Sequence, residues 1–240
     1  MPPRITPKPL SEIDPTSWPL AMESPGAWSQ KAWKIIEPIL DDILSHPFIT
    51  KLVKGTLPKE IFLFYIEQDA LYLDDFGKIV AASAVKISNR ELAQNLFESA
   101  LDSIKVEGSL HSLYLGEMER TLKQSPTNLM YTSFLYRHLA CSNKGTLIAS
   151  LLPCFWIYMV VGHHILSLAT SPGNPYQEWI NTYGGEEYSR AVEKIIKATD
   201  YLAENSSASE RLSMLEAFVM SSKMEWLFWD SAWRKEKWPI

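Results

Sequence analysis

The chain has 240 residues, 46% of them hydrophobic, and a formal net charge of −5. This length suits one large domain with a sizeable core, whereas the excess of acidic residues disfavours a nucleic-acid or anionic-membrane surface. Two cysteines are too few for a disulfide framework and the chain does not open on a secretory signal, so we expect a cytoplasmic protein that binds neither nucleic acid nor membrane.

The N-terminal part of the chain changes from proline-rich to helical near residue 27. Seven of the fifteen prolines lie in residues 1–26, a composition typical of an extended arm. We therefore predict a proline-rich extended leader over 1–26 and a helical domain over 27–240. Helical spacing predicts helices over about 27–45, 57–87 and 89–122, with a connector over 48–56.

The C-terminal half continues the helical pattern. We predict a helix over about 127–140, a long helix from 145 onward, a short helix that ends at Gly184 and Gly185, and helices over 186–204 and 210–234. No stretch alternates polar and apolar residues as a half-buried strand does. The sequence therefore predicts an all-α fold.

An uncharged run lies at the centre of this predicted fold. From Gly145 to Tyr176 there is no Lys, Arg, Asp or Glu, so a helix made from this run must be buried nearly all round. Its length also allows a membrane span. Pro153 and the amphipathic neighbouring helices count against this alternative. Pro153 predicts a bend, and just after it Cys154 and Tyr158 share a helix face.

Two observations point to chemistry. A thiol and a phenol on one helix face could form a site, and two carboxylates, Asp69 and Glu225, lie in aromatic stretches. A carboxylate buried among aromatic rings is costly unless it is paired or protonated, which makes Glu225 a candidate acid or base. The alternatives stay open, because free cysteine often fills apolar cores and Glu225 could lie on the wet edge of its helix.

We expect no metal site in this chain. Diiron sites in helical bundles need carboxylate and histidine ligands that recur on several helices. Glu107 and His111 form one such pair at helical spacing, and no second helix repeats it.

Five segments in this order resemble those of the TenA/thiaminase II family. They read SHPFITKLVKGTLPKEIFLFYIEQDALYL, SPTNLMYTSFLYRHL, LIASLLPCFWIYMVVG, PYQEWINTYGG and FVMSSKMEWLFWDSAWRKEKW. The resemblance covers about residues 27–238 and is specific as an ordered set. It implies a compact, single-domain bundle of the haem-oxygenase-like type, assembled as a homotetramer without haem, metal or other cofactor.

The resemblance also implies an activity. The cysteine motif places the chain in the branch that hydrolyses aminopyrimidines, releasing ammonia from 4-amino-5-aminomethyl-2-methylpyrimidine and giving the hydroxymethyl pyrimidine for thiamine salvage. The same branch cleaves thiamine to pyrimidine and thiazole. Two alternatives remain, namely an oxidase on the same bundle, metal-dependent or cofactorless, and a non-catalytic regulatory protein.

The matching motifs imply the site residues. Cys154 matches the nucleophile, and a thiolate that adds to an electrophilic ring carbon lets a leaving group depart from the neighbouring methylene. We assign Glu225 to proton transfer and Asp69 to orienting the substrate's amino group and assisting the cysteine. The tyrosines matched to substrate binding are Tyr72, Tyr131, Tyr158 and Tyr183.

Overall fold

The computed structural model describes residues 14–24, 26–106, 112–115, 123–168 and 173–240. Every regular element within these ranges is helical, which confirms the predicted all-α fold. The helices are α1 (Trp18–Glu23), α2 (Trp28–Leu44), α3 (Pro47–Val53), α4 (Lys59–Val85), α5 (Arg90–Val106), α6 (Ser112–Leu115), α7 (Pro126–Cys141), α8 (Lys144–Leu168), α9 (Gln177–Tyr183), α10 (Glu186–Glu204) and α11 (Ala208–Arg234).

Helix α8 lies at the centre of the bundle, as its uncharged sequence predicts. Its residues from Gly145 to Tyr158 are buried almost without exception, and α11 packs along it together with α7, α9 and α10. By length and composition α8 could cross a membrane, but 83% of its most apolar window is buried inside the protein. Such burial is typical of a core helix, which is covered by the amphipathic helices around it.

Helix α3 lies where the sequence predicted a connector over 48–56, so that prediction was wrong. Pro47 occupies the first helical position, where its missing N–H costs no hydrogen bond. The His46 Nδ1 accepts a hydrogen bond from the Phe48 N–H at 3.1 Å and so caps the helix. Burial of Phe48 and Leu52 holds this short helix in the core.

The leader also differs from the extended arm expected over 1–26. Within the described part of it, residues 15–17 form a 3₁₀ turn and α1 follows, with prolines in the first turn of both. Met22 is buried, and the buried guanidinium of Arg211 donates to the carbonyls of Met22 and Glu23 at 2.8 and 2.6 Å. These contacts fasten α1 to α11. Residues 1–13 and Pro25 lie outside the described residues.

Two described helices fall within the helix predicted over 89–122. They are α5, whose described residues run to Val106, and the four residues of α6. Residues 107–111 and 116–122 lie outside the described residues, and with them the pair Glu107 and His111.

Gln68 joins α4 to the start of α7. Its Oε1 accepts from the Ser125 N–H at 2.8 Å and from the Asn128 side chain at 3.0 Å, and its amide donates to the Lys123 carbonyl at 3.2 Å. Ser125 in turn caps α7 through the Asn128 N–H. Because Asp69 is the next residue along α4, this network also holds one of the candidate site residues in place.

Candidate active site

A cavity of about 490 Å³ opens between the middle of the bundle and the C-terminal part of α5. This volume lies within the range of small-molecule sites. Its inner wall comes from α4 and α8, and its mouth comes from α5 and from the junction of α9 and α10. Five of the seven predicted site residues line it, namely Asp69, Tyr72, Cys154, Tyr158 and Tyr183.

The other two predicted residues, Tyr131 and Glu225, lie behind the inner wall. The Tyr131 ring packs against the Tyr72 ring with centroids 5.0 Å apart, and its hydroxyl lies 2.6 Å from Glu225 Oε1. Glu225 is 1% exposed, so it does not lie on the wet edge of α11. The structure thus brings together residues from α4, α7, α8, α9 and α11.

Burial controls the acid–base state of Glu225. Desolvation raises the pKa of this carboxyl to about 8, the hydrogen bond that Tyr131 can donate to the ionised form opposes the rise, and the negative charge of Asp69 adds to it. A carboxyl with such a pKa holds its proton at neutral pH and can give it up to a base. Glu225 therefore has the chemical state that a general acid needs.

The Cys154 thiol is also buried and faces the cavity. Burial raises its pKa well above the ordinary value, the charges of Glu225 and Asp69 add to the rise, and the Tyr72 hydroxyl opposes it. In the free protein the sulfur is therefore a neutral thiol. It needs a base at the moment of attack, because the thiolate is the nucleophilic form.

Tyr158, which lines the cavity, and the buried Tyr65 have defined hydrogen-bond roles. The Trp179 indole N–H can only donate, and it donates to the Tyr65 hydroxyl at 3.2 Å. Tyr65 donates onward to the Tyr158 hydroxyl at 3.3 Å. Because Tyr158 accepts in this chain, its own hydrogen is available to be donated into the cavity that it lines.

The Tyr72 hydroxyl is buried and lines the cavity, with the Cys154 thiol and the Tyr131 hydroxyl as polar neighbours. Among the described residues, neither of these nor any other group forms a hydrogen bond of ordinary geometry with it. Buried polar groups in proteins are almost always paired, and an exception in a cavity indicates a group that binds a ligand. Tyr72 can therefore donate to, or accept from, a bound molecule.

Tyr183 reaches the cavity because α8 and α9 approach unusually closely. A Cβ atom on Gly162 would lie 2.5 Å from the carbonyl carbon and oxygen of Tyr183, a distance that real side chains do not show. A Cβ atom on Gly184 would lie 2.3 Å from the Leu166 side chain, which can move, and 3.1 Å from the Gly162 carbonyl oxygen. Glycine at these two positions lets the end of α9 sit against α8 and present Tyr183 to the cavity.

Sequence reasoning missed three residues of the site. Ser221 hydrogen-bonds to Tyr131, Tyr65 hydrogen-bonds to Tyr158, and Tyr188 lines the cavity and donates to the Phe155 carbonyl. Ser221 lies four residues before Glu225, and Tyr65 lies four residues before Asp69. The same four-residue spacing that paired Cys154 with Tyr158 would have found both.

Among the described residues, no three His, Cys, Asp or Glu side chains come together in a group that could hold a metal ion. Those residues therefore offer no ligand set to the metal-dependent oxidase alternative.

The sequence matches the family described as TENA/THI-4/PQQC over residues 33–235. The chain belongs to this family. Its similarity to a protein of Bacillus subtilis (strain 168) named aminopyrimidine aminohydrolase amounts to 40% identity over 200 residues, which are 80% of this chain and 84% of that protein. The resemblance stated from the motifs is thereby confirmed.

Solved structures of similar proteins agree with membership of the TENA/THI-4/PQQC family. A TenA homologue from P. horikoshii OT3 is 30% identical and superposes with a TM-score of 0.78, covering 86% of this chain and 98% of its own. A domain from Shewanella denitrificans OS217, described as having a heme oxygenase-like fold, superposes with a TM-score of 0.64 at 14% identity over 86% of this chain and 92% of its own. These likenesses confirm the expected haem-oxygenase-like bundle.

Proposed function

We propose that this protein is an aminopyrimidine aminohydrolase of thiamine salvage. It hydrolyses 4-amino-5-aminomethyl-2-methylpyrimidine to the hydroxymethyl pyrimidine and ammonia, and it also cleaves thiamine to pyrimidine and thiazole. The observation that carries the proposal is the cavity that the Cys154 thiol and the buried Asp69 carboxylate face together among tyrosine rings, with the buried Glu225 carboxyl behind its inner wall. The 40% identity to the Bacillus subtilis aminopyrimidine aminohydrolase supports it.

The cavity suits a small, flat and basic substrate. Tyrosine rings form its inner wall, and the Tyr158 and Tyr72 hydroxyls offer hydrogen bonds to ring nitrogens and amino groups. Among the lining residues the carboxylates outnumber the ammonium groups, because only Lys105 is basic and it pairs with Asp102 at 3.0 Å. Both proposed substrates carry a positive charge, which such a cavity favours.

The reaction begins with attack by Cys154 and proton transfer from Glu225. The Sγ–carbon bond forms at an electrophilic ring carbon while the thiol proton passes to Asp69. Glu225, behind the inner wall, is the source of the proton that reaches a ring nitrogen, and this protonation makes that carbon electrophilic. Asp69 orients the 4-amino group before it receives the thiol proton.

Elimination and hydration complete the turnover. The bond between the exocyclic methylene and its ammonium group breaks, and the nitrogen leaves as neutral ammonia with the bonding electron pair. Water adds its oxygen to the methylene carbon and releases one proton, which leaves with the ammonia as ammonium. The Sγ–carbon bond then breaks, which restores the aromatic ring, and the thiol and Glu225 regain their protons from Asp69 and the ring nitrogen, respectively.

The test of this function is product formation by the purified protein. We expect ammonia from the aminomethyl pyrimidine and thiazole from thiamine, each in step with the pyrimidine product. The exposed Cys141 provides a control, and Cys141→Ala should leave both rates unchanged. Protein that releases neither ammonia nor thiazole, while binding iron stoichiometrically or binding DNA at physiological salt, would overturn the proposal in favour of an oxidase or a regulator.

A homotetramer in the cytoplasm completes the proposal, on the basis of the family resemblance. One face of α5 supports further assembly, since Phe97, Leu101 and Ile104 lie at helical spacing and each is between 43% and 57% exposed. Light scattering should give four times the chain mass of 27.4 kDa. A monomer at micromolar concentration would contradict this part of the proposal.

A further inference from the structure

A chain of three short hydrogen bonds runs from Glu225 into the core. Tyr131 Oη lies 2.6 Å from Glu225 Oε1 and 2.8 Å from Ser221 Oγ. Ser221 Oγ in turn donates to the backbone carbonyl of Ser150 at 2.7 Å. All four residues are buried, so water does not replace any member of the chain.

Counting hydrogens along this chain decides which group donates. The Ser150 carbonyl can only accept, so the one hydroxyl hydrogen of Ser221 is used there. Ser221 must then accept from Tyr131, which uses the one hydrogen of Tyr131. The remaining contact joins Tyr131 Oη and Glu225 Oε1 at 2.6 Å, and neither hydroxyl has a hydrogen left for it. Two oxygen atoms at that distance need a hydrogen between them, so it must come from Glu225.

We propose that Ser221 is a positioning residue which, through Tyr131, keeps Glu225 in the free enzyme as a carboxylic acid that donates its hydrogen to Tyr131. The Ser221 hydroxyl does this by taking up the Tyr131 hydrogen that would otherwise be donated to, and stabilise, an ionised Glu225. Glu225 in the free protein thus already carries the proton that it gives up in the reaction. The catalytic consequence of this protonation rests on the proposed function, whereas the protonation state itself does not.

Ionisation of Glu225 requires the whole chain to change direction. The Tyr131 hydrogen must turn to the carboxylate, and Ser221 must then release either its contact with Tyr131 or its bond to the Ser150 carbonyl. Other groups that face Glu225 also influence its proton. From the helices packed around it these are Tyr65, Asp69 and Tyr72 on α4, Tyr131 on α7, Cys154 and Tyr158 on α8, and Tyr188 on α10.

Infrared difference spectroscopy of the free enzyme tests the proposal. We expect a carboxylic-acid C=O band at neutral pH in the wild type that Glu225→Gln removes, with a titration midpoint near pH 8. In Ser221→Ala the Tyr131 hydrogen is free to bind the carboxylate, so the midpoint should fall by about one pH unit. No substrate is needed, so this result stands apart from whether the protein hydrolyses aminopyrimidines.

The matched control is the neighbouring Ser222. It is equally buried, and its hydroxyl donates to the Phe218 carbonyl at 2.8 Å, outside the chain. Ser222→Ala should keep the wild-type midpoint, which separates a positioning role from general loosening of α11. If Ser221→Ala fails to fold, Ser221→Thr keeps the hydroxyl and should keep the midpoint. The proposal is overturned if the wild type lacks the band at neutral pH, or if Ser221→Ala titrates as the wild type does.

Discussion

At the scale of single residues, Tyr65 determines whether the Tyr158 hydroxyl donates its hydrogen into the cavity. Tyr65→Phe removes the acceptor of the Trp179 N–H and the donor to Tyr158. A buried donor left unpaired costs about 1–3 kcal/mol of unfolding free energy. We also expect weaker binding of the aminopyrimidine, because Tyr158 can then turn its hydrogen away from the cavity. Calorimetric titration with substrate and a thermal unfolding scan would measure the two effects.

Tyr176 offers the matched control for this change. Its buried hydroxyl donates to the Leu57 carbonyl, away from the cavity lining. Tyr176→Phe should therefore lower stability and leave substrate affinity as it is. Equal losses of affinity in the two variants would contradict the role given to Tyr65.

The identity of the site residues could be predicted from sequence, whereas their hydrogen-bond directions could not. Cys154 and Tyr158 follow from spacing along one helix, because periodicity decides which neighbours share a face. The pairing of Tyr131 with Glu225 joins residues 94 positions apart, and no local pattern contains it. The family resemblance identified these residues, whereas the directions of their hydrogen bonds follow only from the three-dimensional contacts.

At the scale of helices, the approach of α8 to α9 depends on Gly162. Gly162→Ala would place a methyl group against the Tyr183 carbonyl, and backbone on both sides cannot yield as a flexible side chain can. We expect α9 to move outward and carry Tyr183 with it, so that KM rises about tenfold or more at little change in kcat. Steady-state kinetics of ammonia release would measure this.

Gly145, on the same helix, is the control for this substitution. Its added Cβ would meet the end of the Met214 side chain at 2.8 Å, and a methionine can change rotamer. Gly145→Ala should keep the wild-type KM. A Gly162→Ala enzyme whose KM also stays at the wild-type value would refute the positioning of Tyr183 by this glycine.

Helix boundaries show where sequence reasoning at this scale succeeds and where it fails. The helix predicted over 186–204 coincides with α10, because glycine precedes it and its apolar face is regular. Helix α3 was missed, since proline before an apolar run can end one helix or begin the next. Proline begins a new helix when the apolar run that follows it is buried in the core.

At the scale of the whole molecule, the buried proton of Glu225 couples stability to pH. Its pKa is about 8 in the folded protein against an ordinary 4.5, so folding binds a proton between these values. The stability gained is fully present below pH 4.5 and is lost as the pH rises to 8. The loss amounts to up to about 5 kcal/mol, at about 1.4 kcal/mol per pH unit.

Chemical denaturation at a series of pH values measures this coupling when wild type and Glu225→Gln are compared. From pH 5 to pH 8 the unfolding free energy of the wild type should decrease steadily relative to that of Glu225→Gln. Subtraction of the two curves removes the contributions of the other titrating groups. A difference that does not depend on pH would show that Glu225 ionises normally in the folded protein.

The arrangement of the whole bundle could be predicted in outline. An uncharged run of 32 residues, from Gly145 to Tyr176, required a central helix, and amphipathic neighbours supplied its cover. The position of the cavity could not be predicted, because it lies where α5 and the junction of α9 and α10 leave α8 uncovered. That gap results from helix lengths and close approaches that no single segment specifies.

Replacing the sulfur of Cys154 tests the central claim most directly. The measurement is kcat for ammonia release, together with the dissociation constant of the aminomethyl pyrimidine, for Cys154→Ser and for Cys141→Ser as control. We predict that Cys154→Ser loses more than the 10² to 10⁴-fold that acid–base help supplies, while affinity stays near wild type and Cys141→Ser behaves as wild type. A Cys154→Ser enzyme that turns over at nearly the wild-type rate would contradict covalent catalysis at this site.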